Sequence, residues 1–317
     1  MCQRLQLLVI SLTLLLCACL PNGKRFLVEE RYEEGIRAFE QVLQEDPENH
    51  EANYYIGRFY LAQEKPDKAL PYLRRAVQLA PDKADYHFWL GVAYWAVRDF
   101  ENERKSYRQA LKLNKDHVPA RLYLAHNLLD SGQWEAALKE YDGVLKNDPY
   151  NPEALYNRGL ALKKLNKPVE EINAWKKYLK YYPRGRWALQ AVDHLNALGD
   201  FSYRNFTIGY RRVTLKNISF TPGTDNILLE AKPSLKVLGG ILSINKKIVL
   251  KIIGYKKGDP VLAKARAKAV KDFLLKNFPD IDPARLTYDG FGRAERVRFE
   301  NKTYFLNESI SFVTLRK

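Results

Sequence analysis

Side chains that could catalyse a reaction or hold a metal are scattered through this chain of 317 residues rather than paired. The five histidines, His50, His87, His117, His126 and His194, all precede residue 200. His117 and His126 are nine residues apart, beyond the i, i+4 reach that sets two ligands on one helix face. No glycine loop that would cradle a phosphate and no nucleophile elbow is present. Asp280 and Asp282 sit beside Pro279 and Pro283 and read as turn residues. The chain is therefore expected to be non-enzymatic, with no metal and no cofactor. What is concentrated is positive charge. Residues 201–317 carry 23 Lys plus Arg against 10 Asp plus Glu, net +13 of a total of +15. Lys246, Lys247, Lys251, Lys256, Lys257, Lys264 and Lys268 are expected to gather near one strand end and the helix after it. Such a surface attracts polyanions such as lipid head groups, acidic glycans or an acidic protein face, or it serves solubility alone. No nucleic-acid recognition motif accompanies it, and nucleic acid is not an expected partner.

The elements that would position other contacts are set by a period. Pro47, Pro81, Lys115, Pro149 and Pro183 are spaced by 34 residues, the length of one two-helix unit stacked on itself. With those residues numbered position 32, position 8 reads Gly57, Gly91, Ala125, Gly159 and position 20 reads Ala69, Glu103, Ala137, Glu171. Position 24 is large (Phe39, Leu73, Tyr107, Tyr141, Trp175), so a bulky side chain can fill the gap beside each small one. This pattern resembles the tetratricopeptide repeat family, with four full units over residues 50–183. Lys115 in place of Pro, and Glu103 and Glu171 at a small position, depart from it. The resemblance implies a concave wall formed by the first helix of each hairpin. Tyr54, Phe88, Leu122 and Tyr156 then form a ladder at position 5, joined by Arg58, Trp95 and His126. Such a ladder suits an apolar helix or extended segment of a protein partner; packing of the rings between adjacent repeats is the alternative.

Upstream, Arg4, an apolar run from Leu5 to Leu16 and the small residues after it describe a secretion signal. Leu16-Cys17-Ala18-Cys19 resembles a lipobox, which implies cleavage after residue 18 and acylation of Cys19 as a membrane anchor. Leu20 is not acidic, so sorting to the outer membrane, on its periplasmic side, is expected. Residues 19–49 then hold the anchor and a truncated first repeat, with Gly35 and Phe39 in register.

After the repeats, Leu189, Val192, Leu195 and Leu198 read as a capping helix within residues 184–200. From residue 201 the apolar spacing becomes two, and strands are predicted around 206–220, 247–255, 286–288 and 310–315, with helices at 228–241 and 261–277. Ile218 to Phe220 before Pro222-Gly223, Val249 to Gly254, Lys264-Ala265-Arg266-Ala267, Ile281 to Arg285 and Gly290-Phe291-Gly292 resemble the OmpA-like domain of peptidoglycan-associated lipoproteins. The implied fold class is α+β and multidomain: an all-α tetratricopeptide solenoid followed by an OmpA-like α/β sandwich over residues 201–317. In that family Gly-His-Thr-Asp closes the second strand and its Asp holds the ammonium group of diaminopimelate. Here Tyr255, Lys256 and Lys257 follow Gly254, and like charges repel there. Lys256, Lys257, Lys264 and Arg266 are left as contacts for an anionic or wall polymer. The expected protein is an envelope lipoprotein scaffold; peptidoglycan binding through altered contacts, and assembly of a secretion or pilus machine, are the other readings.

Overall fold

The computed structural model describes residues 21–315. The signal-like run and Cys19 lie outside the described residues. No described helix is long and apolar enough to cross a membrane. The chain divides into two compact units, residues 1–124 and residues 125–317, with the division inside one helix.

The first unit contains α1 (Gly23–Val28), α2 (Tyr32–Glu45), α3 (His50–Ala62), α4 (Pro66–Leu79), α5 (Ala84–Ala96), α6 (Phe100–Leu113) and the start of α7 (Val118–Asp130). Several of these helices start on a local signal. Asn49 accepts the Ala52 amide at 2.9 Å, Asp99 accepts that of Asn102 at 3.2 Å, and Pro66 opens α4 without wasting an amide. His117 caps α7: its Nδ1 accepts the Ala120 amide at 3.1 Å, so the ring proton is on Nε2, 3.0 Å from Asp85.

Within a hairpin, position 8 meets position 24 as the spacing predicts. A Cβ on Gly57 would lie 2.5 Å from Leu73, and one on Gly91 would lie 2.4 Å from Tyr107. The turn after each first helix repeats a feature that periodicity of apolar residues does not reveal. Glu30, Glu64 and Arg98, spaced by 34 like the prolines, all adopt positive φ (55°, 59° and 62°). The next amide then reaches back to an end-of-helix carbonyl, Lys65 to Tyr60 at 2.8 Å and Asp99 to Tyr94 at 2.9 Å.

The second unit continues with the rest of α7, α8 (Trp134–Asn147), α9 (Pro152–Lys164), α10 (Pro168–Tyr181) and α11 (Arg186–Ala197). Gly132 (φ 76°) and Asn166 (φ 51°) hold the same turn position. Glu171 is buried at the small position, and its carboxylate accepts from Trp175 Nε1 at 3.0 Å. The packing that Glu171 put in question is thus accommodated by a hydrogen bond, while burial holds its carboxyl above the usual range.

Helix α11 is tied to the segment after it. Asn196 Nδ2 donates to the carbonyls of Asp200 and Tyr203, and Asn205 Nδ2 donates to the Leu189 carbonyl. Arg212 pairs with Asp193 at 2.7 Å. The hairpin of β1 (Tyr203–Ile208) and β2 (Arg211–Lys216) leads through a 3-10 turn to α12 (Lys232–Ile244). Then come β3 (Val249–Lys256), α13 (Pro260–Asn277), β4 (Leu286–Phe291), β5 (Glu295–Phe299), β6 (Lys302–Leu306) and β7 (Glu308–Leu315). β3 is central in a three-stranded sheet, parallel to β4 and antiparallel to β7. Backbone passes close at two glycines: a Cβ on Gly254 or Gly290 would stand 2.0 Å from the Ala263 carbonyl oxygen or 2.2 Å from the Lys264 nitrogen of α13. Leu235, Leu238, Leu250, Ile252, Val270 and Leu274 are sealed in the core between sheet and helices.

Two expectations are corrected. Residues 218–220 form no full strand, only a bridge from Phe220 to Ile227. The antiparallel hairpin β5–β6 was not foreseen.

Candidate functional site

The side chains named for the wall are distributed as follows. Tyr54, Phe88, Leu122 and Tyr156 are between 6% and 8% exposed. Tyr54 stacks on Tyr86 with ring centroids 4.4 Å apart, Tyr156 stacks on Trp187 at 5.2 Å, and Phe88 meets His117 at 5.1 Å. Their area is already spent between successive helices, so these four do not line an open groove. This is the alternative, packing between adjacent repeats: each ring meets a ring at another position of the next first helix or of α11, as Tyr54 meets Tyr86 and Tyr156 meets Trp187. Burial pushes the Tyr54 hydroxyl up to about 12, against the opposing pull of Arg58.

Arg58 and Trp95 remain available in the first unit. The Arg58 guanidinium lies 3.4 Å from the centroid of Trp89, and Nη1 donates to the Tyr54 hydroxyl at 2.8 Å. No carboxylate pairs with it among the described residues. Its Nε is buried without a partner. Trp95, seven residues beyond Phe88 on α5, is 55% exposed. The surface therefore presents a flat cation on indole and a second, uncovered indole. Both are groups that gain from contact with a partner's apolar or acidic side chains. Trp89 was not singled out from the sequence, although position 6 is aromatic in three of the four units, Tyr55, Trp89 and Tyr123.

In the second unit, His126 is partly buried. Its Nε2 accepts from Asn157 Nδ2 at 3.1 Å, with Glu153 at 3.6 Å. Burial lowers its pKa, so the ring is held neutral and polar.

The basic contacts of the C-terminal region do not gather as expected. Lys247 lies in the turn before β3 and Lys256 ends that strand, whose own length is roughly 23 Å at strand rise. Lys251 pairs with Asp289 at 3.2 Å and Lys268 with Asp272 at 2.7 Å. Lys257 and Lys264 are exposed. Lys256 and Arg266 converge on a single oxygen of Glu308, at 2.7 and 3.0 Å, and hold its carboxyl below the usual range. Arg266 is buried, donates from Nε to the Thr224 carbonyl at 2.8 Å and lies over Phe220 at 4.8 Å. The cleft it shares with Asn217, Ser219, Glu308 and Ser309 encloses about 90 Å³, room for about three waters. Lys256 is thus a structural partner of Glu308, and Arg266 has two of its donors engaged. No cluster of three or more metal-ligating side chains occurs among the described residues.

Sequence profiles described as tetratricopeptide repeat match residues 20–84, 60–118 and 153–185, and one described as TPR repeat matches residues 125–166. The helical hairpins are tetratricopeptide repeats. Among solved structures, two of MamA are similar at 24% and 23% identity. They cover 50% and 51% of this chain and 87% and 95% of theirs, with TM-scores of 0.47 and 0.49. YrrB, described as a TPR protein with an unusual peptide-binding site, is 20% identical over 53% of this chain and 87% of its own, with a TM-score of 0.49. No curated protein matches the sequence. The tetratricopeptide hairpins account for every helix position that the 34-residue period predicted over residues 50–183.

Proposed function

We propose that this chain is a non-enzymatic scaffold of the cell envelope, lipid-anchored through Cys19 at the outer membrane, whose repeats hold a segment of a partner protein. The observations that carry the scaffold reading are in the first unit, where Trp95 is 55% exposed and Arg58 lies over Trp89 with no carboxylate partner among the described residues. Buried rings between repeats stiffen that surface, so little ordering entropy opposes binding. A photo-crosslinking residue at position 95, compared with one at the exposed Arg108 of α6, tests it in intact cells. Capture of one discrete protein from position 95 and not from position 108 is expected. Equal or no capture from both refutes it. Labelled palmitate incorporated by the native chain and lost with Cys19→Ser is the expected result for the anchor.

For the C-terminal region we retain the OmpA-like reading, supported by the order strand, helix, strand, helix, strand and by a central strand parallel to one neighbour and antiparallel to the other. Standard diaminopimelate capture is not part of it. The residues after Gly254 bring Lys256 where an anion would serve, and Glu308 beside it is bound to Lys256 and Arg266. Weak, salt-sensitive sedimentation with purified sacculi is expected. Tight binding that survives high salt and is competed by diaminopimelate would instead make this a wall-binding lipoprotein.

A further inference from the structure

A cavity of about 290 Å³ opens in the second unit among the C-terminal end of α10, the hairpin β1–β2 and the start of α12. Its wall is apolar: Leu179, Pro183, Pro233, Val237 and the ring of Tyr203. Leu179 and Tyr203 are 1% and 8% exposed, so the floor is continuous with packed core.

The polar groups at this cavity are unevenly satisfied. Thr214 donates to Asn205 at 2.8 Å, and Ser234 accepts the Lys216 amide at 2.8 Å. Glu230 is the lining carboxylate. One of its oxygens accepts from Lys216 Nζ at 2.8 Å and the other from Ser219 at 2.9 Å, so its charge is answered. Tyr203 is 8% exposed, and its ring lines the cavity. At the rim stand Lys180 and Arg184, both exposed and without a carboxylate partner among the described residues. The cavity thus joins an apolar interior to two exposed cations at its rim.

We infer that this cavity binds a small amphipathic monocarboxylate, with its apolar chain inside and its carboxylate held by Arg184 and Lys180. Two exposed cations at the mouth, Lys180 over the Tyr181 ring and Arg184, attract an anionic head group, whereas a neutral one gains nothing from them and a cationic one is repelled. The size follows from volume: a dry cavity of about 150 Å³ takes a benzene ring, so this one suits a chain on the order of ten carbons. A planar guanidinium matches both oxygens of a carboxylate at once, which favours Arg184 as the principal contact. Binding here is independent of the scaffold role, because none of these residues lies on the repeat surface that carries it.

Calorimetric titration of the full chain carrying Cys19→Ser, so that no attached acyl chain competes, tests it with sodium decanoate, 1-decanol and decylamine below their aggregation concentrations. One saturable site for decanoate is expected, with decanol at least about tenfold weaker and decylamine silent. Arg184→Ala, an exposed position, should weaken decanoate about tenfold and leave decanol unchanged. Val237→Trp, which fills the cavity, should abolish both. Equal affinity for decanoate and decanol, an unaffected Arg184→Ala variant, or non-saturable uptake in any folded variant overturns the assignment.

Discussion

Arg204 and Glu295 join β1 to the β5–β6 hairpin across 91 residues of sequence, and breaking that pair should be among the most damaging single changes in the C-terminal region. Two parallel hydrogen bonds of 2.8 Å connect them, Ser309 donates to the same carboxylate, and the guanidinium lies 4.9 Å from the Phe206 ring. The side chains are only 12% and 8% exposed, so water cannot replace a lost partner. Arg204→Met would leave a buried carboxylate with one hydroxyl for company, a loss of about 3–5 kcal/mol. At about 2–4 °C per kcal/mol for a body of this size, that is a fall in Tm of roughly 6–20 °C. Arg204→Met/Glu295→Leu removes both charges and fills the space with apolar atoms, and should restore most of the loss. Urea unfolding of the native chain, both single variants and the double variant measures the coupling, and hydrogen exchange of the β5 and β6 amides locates it. If Arg204→Met costs under about 1 kcal/mol, or the double variant loses as much as the two singles together, the pair is not the clamp described.

Three further outcomes concern the repeats. Gly132→Ala should destabilise by about 1 kcal/mol although nothing lies within 4 Å of the new methyl, because only the positive φ resists it; Arg98→Gly at the equivalent turn should stabilise by a similar or smaller amount, and thermal melts compare them. Glu171 has a folded pKa raised above 4.5 by burial, so the folded state binds its proton more tightly. Its contribution is therefore fully favourable below pH 4.5 and is lost as pH rises through the folded value. Glu171→Gln, which keeps an acceptor for Trp175, should then raise Tm at pH 7 and leave it unchanged near pH 4. Trp95→Ala should weaken partner capture about tenfold or more with Tm unaltered, whereas Tyr54→Ala should lower stability by about 3–5 kcal/mol through lost packing; the opposite pattern would return Tyr54 to the groove.

What could be read in the sequence divides along a physical line. The hairpins were legible because their complementarity is local and repeated: a small residue at position 8 faces a bulky one at position 24, and Gly91 against Tyr107 or Gly159 against Trp175 needs no knowledge of the rest of the chain. The ring ladder was misjudged for the same reason it was noticed. A ring recurring on each first helix falls against a ring at a different position of the next one before any partner arrives, as Tyr54 falls against Tyr86 and Tyr156 against Trp187. The uncovered groups are at irregular positions: Trp95 is equivalent to Leu61, Leu129 and Lys163, and Arg58 to Val92, His126 and Leu160. In the C-terminal region the β5–β6 hairpin did alternate, with Arg296, Val297, Arg298 and Phe299 exposed and half-buried in turn. Its turn hid it, because Glu300 takes positive φ (50°) where glycine or asparagine would have announced a reversal. The pairs that hold the hairpin in place, Arg204 with Glu295 and Tyr304 with the Ala197 carbonyl at 3.3 Å, link residues about a hundred positions apart. Contacts of that range leave no mark in composition or spacing, yet they secure a strand pair that would be marginal alone. A specific binding surface in a repeat array is therefore to be sought at the positions where the repeat fails to repeat.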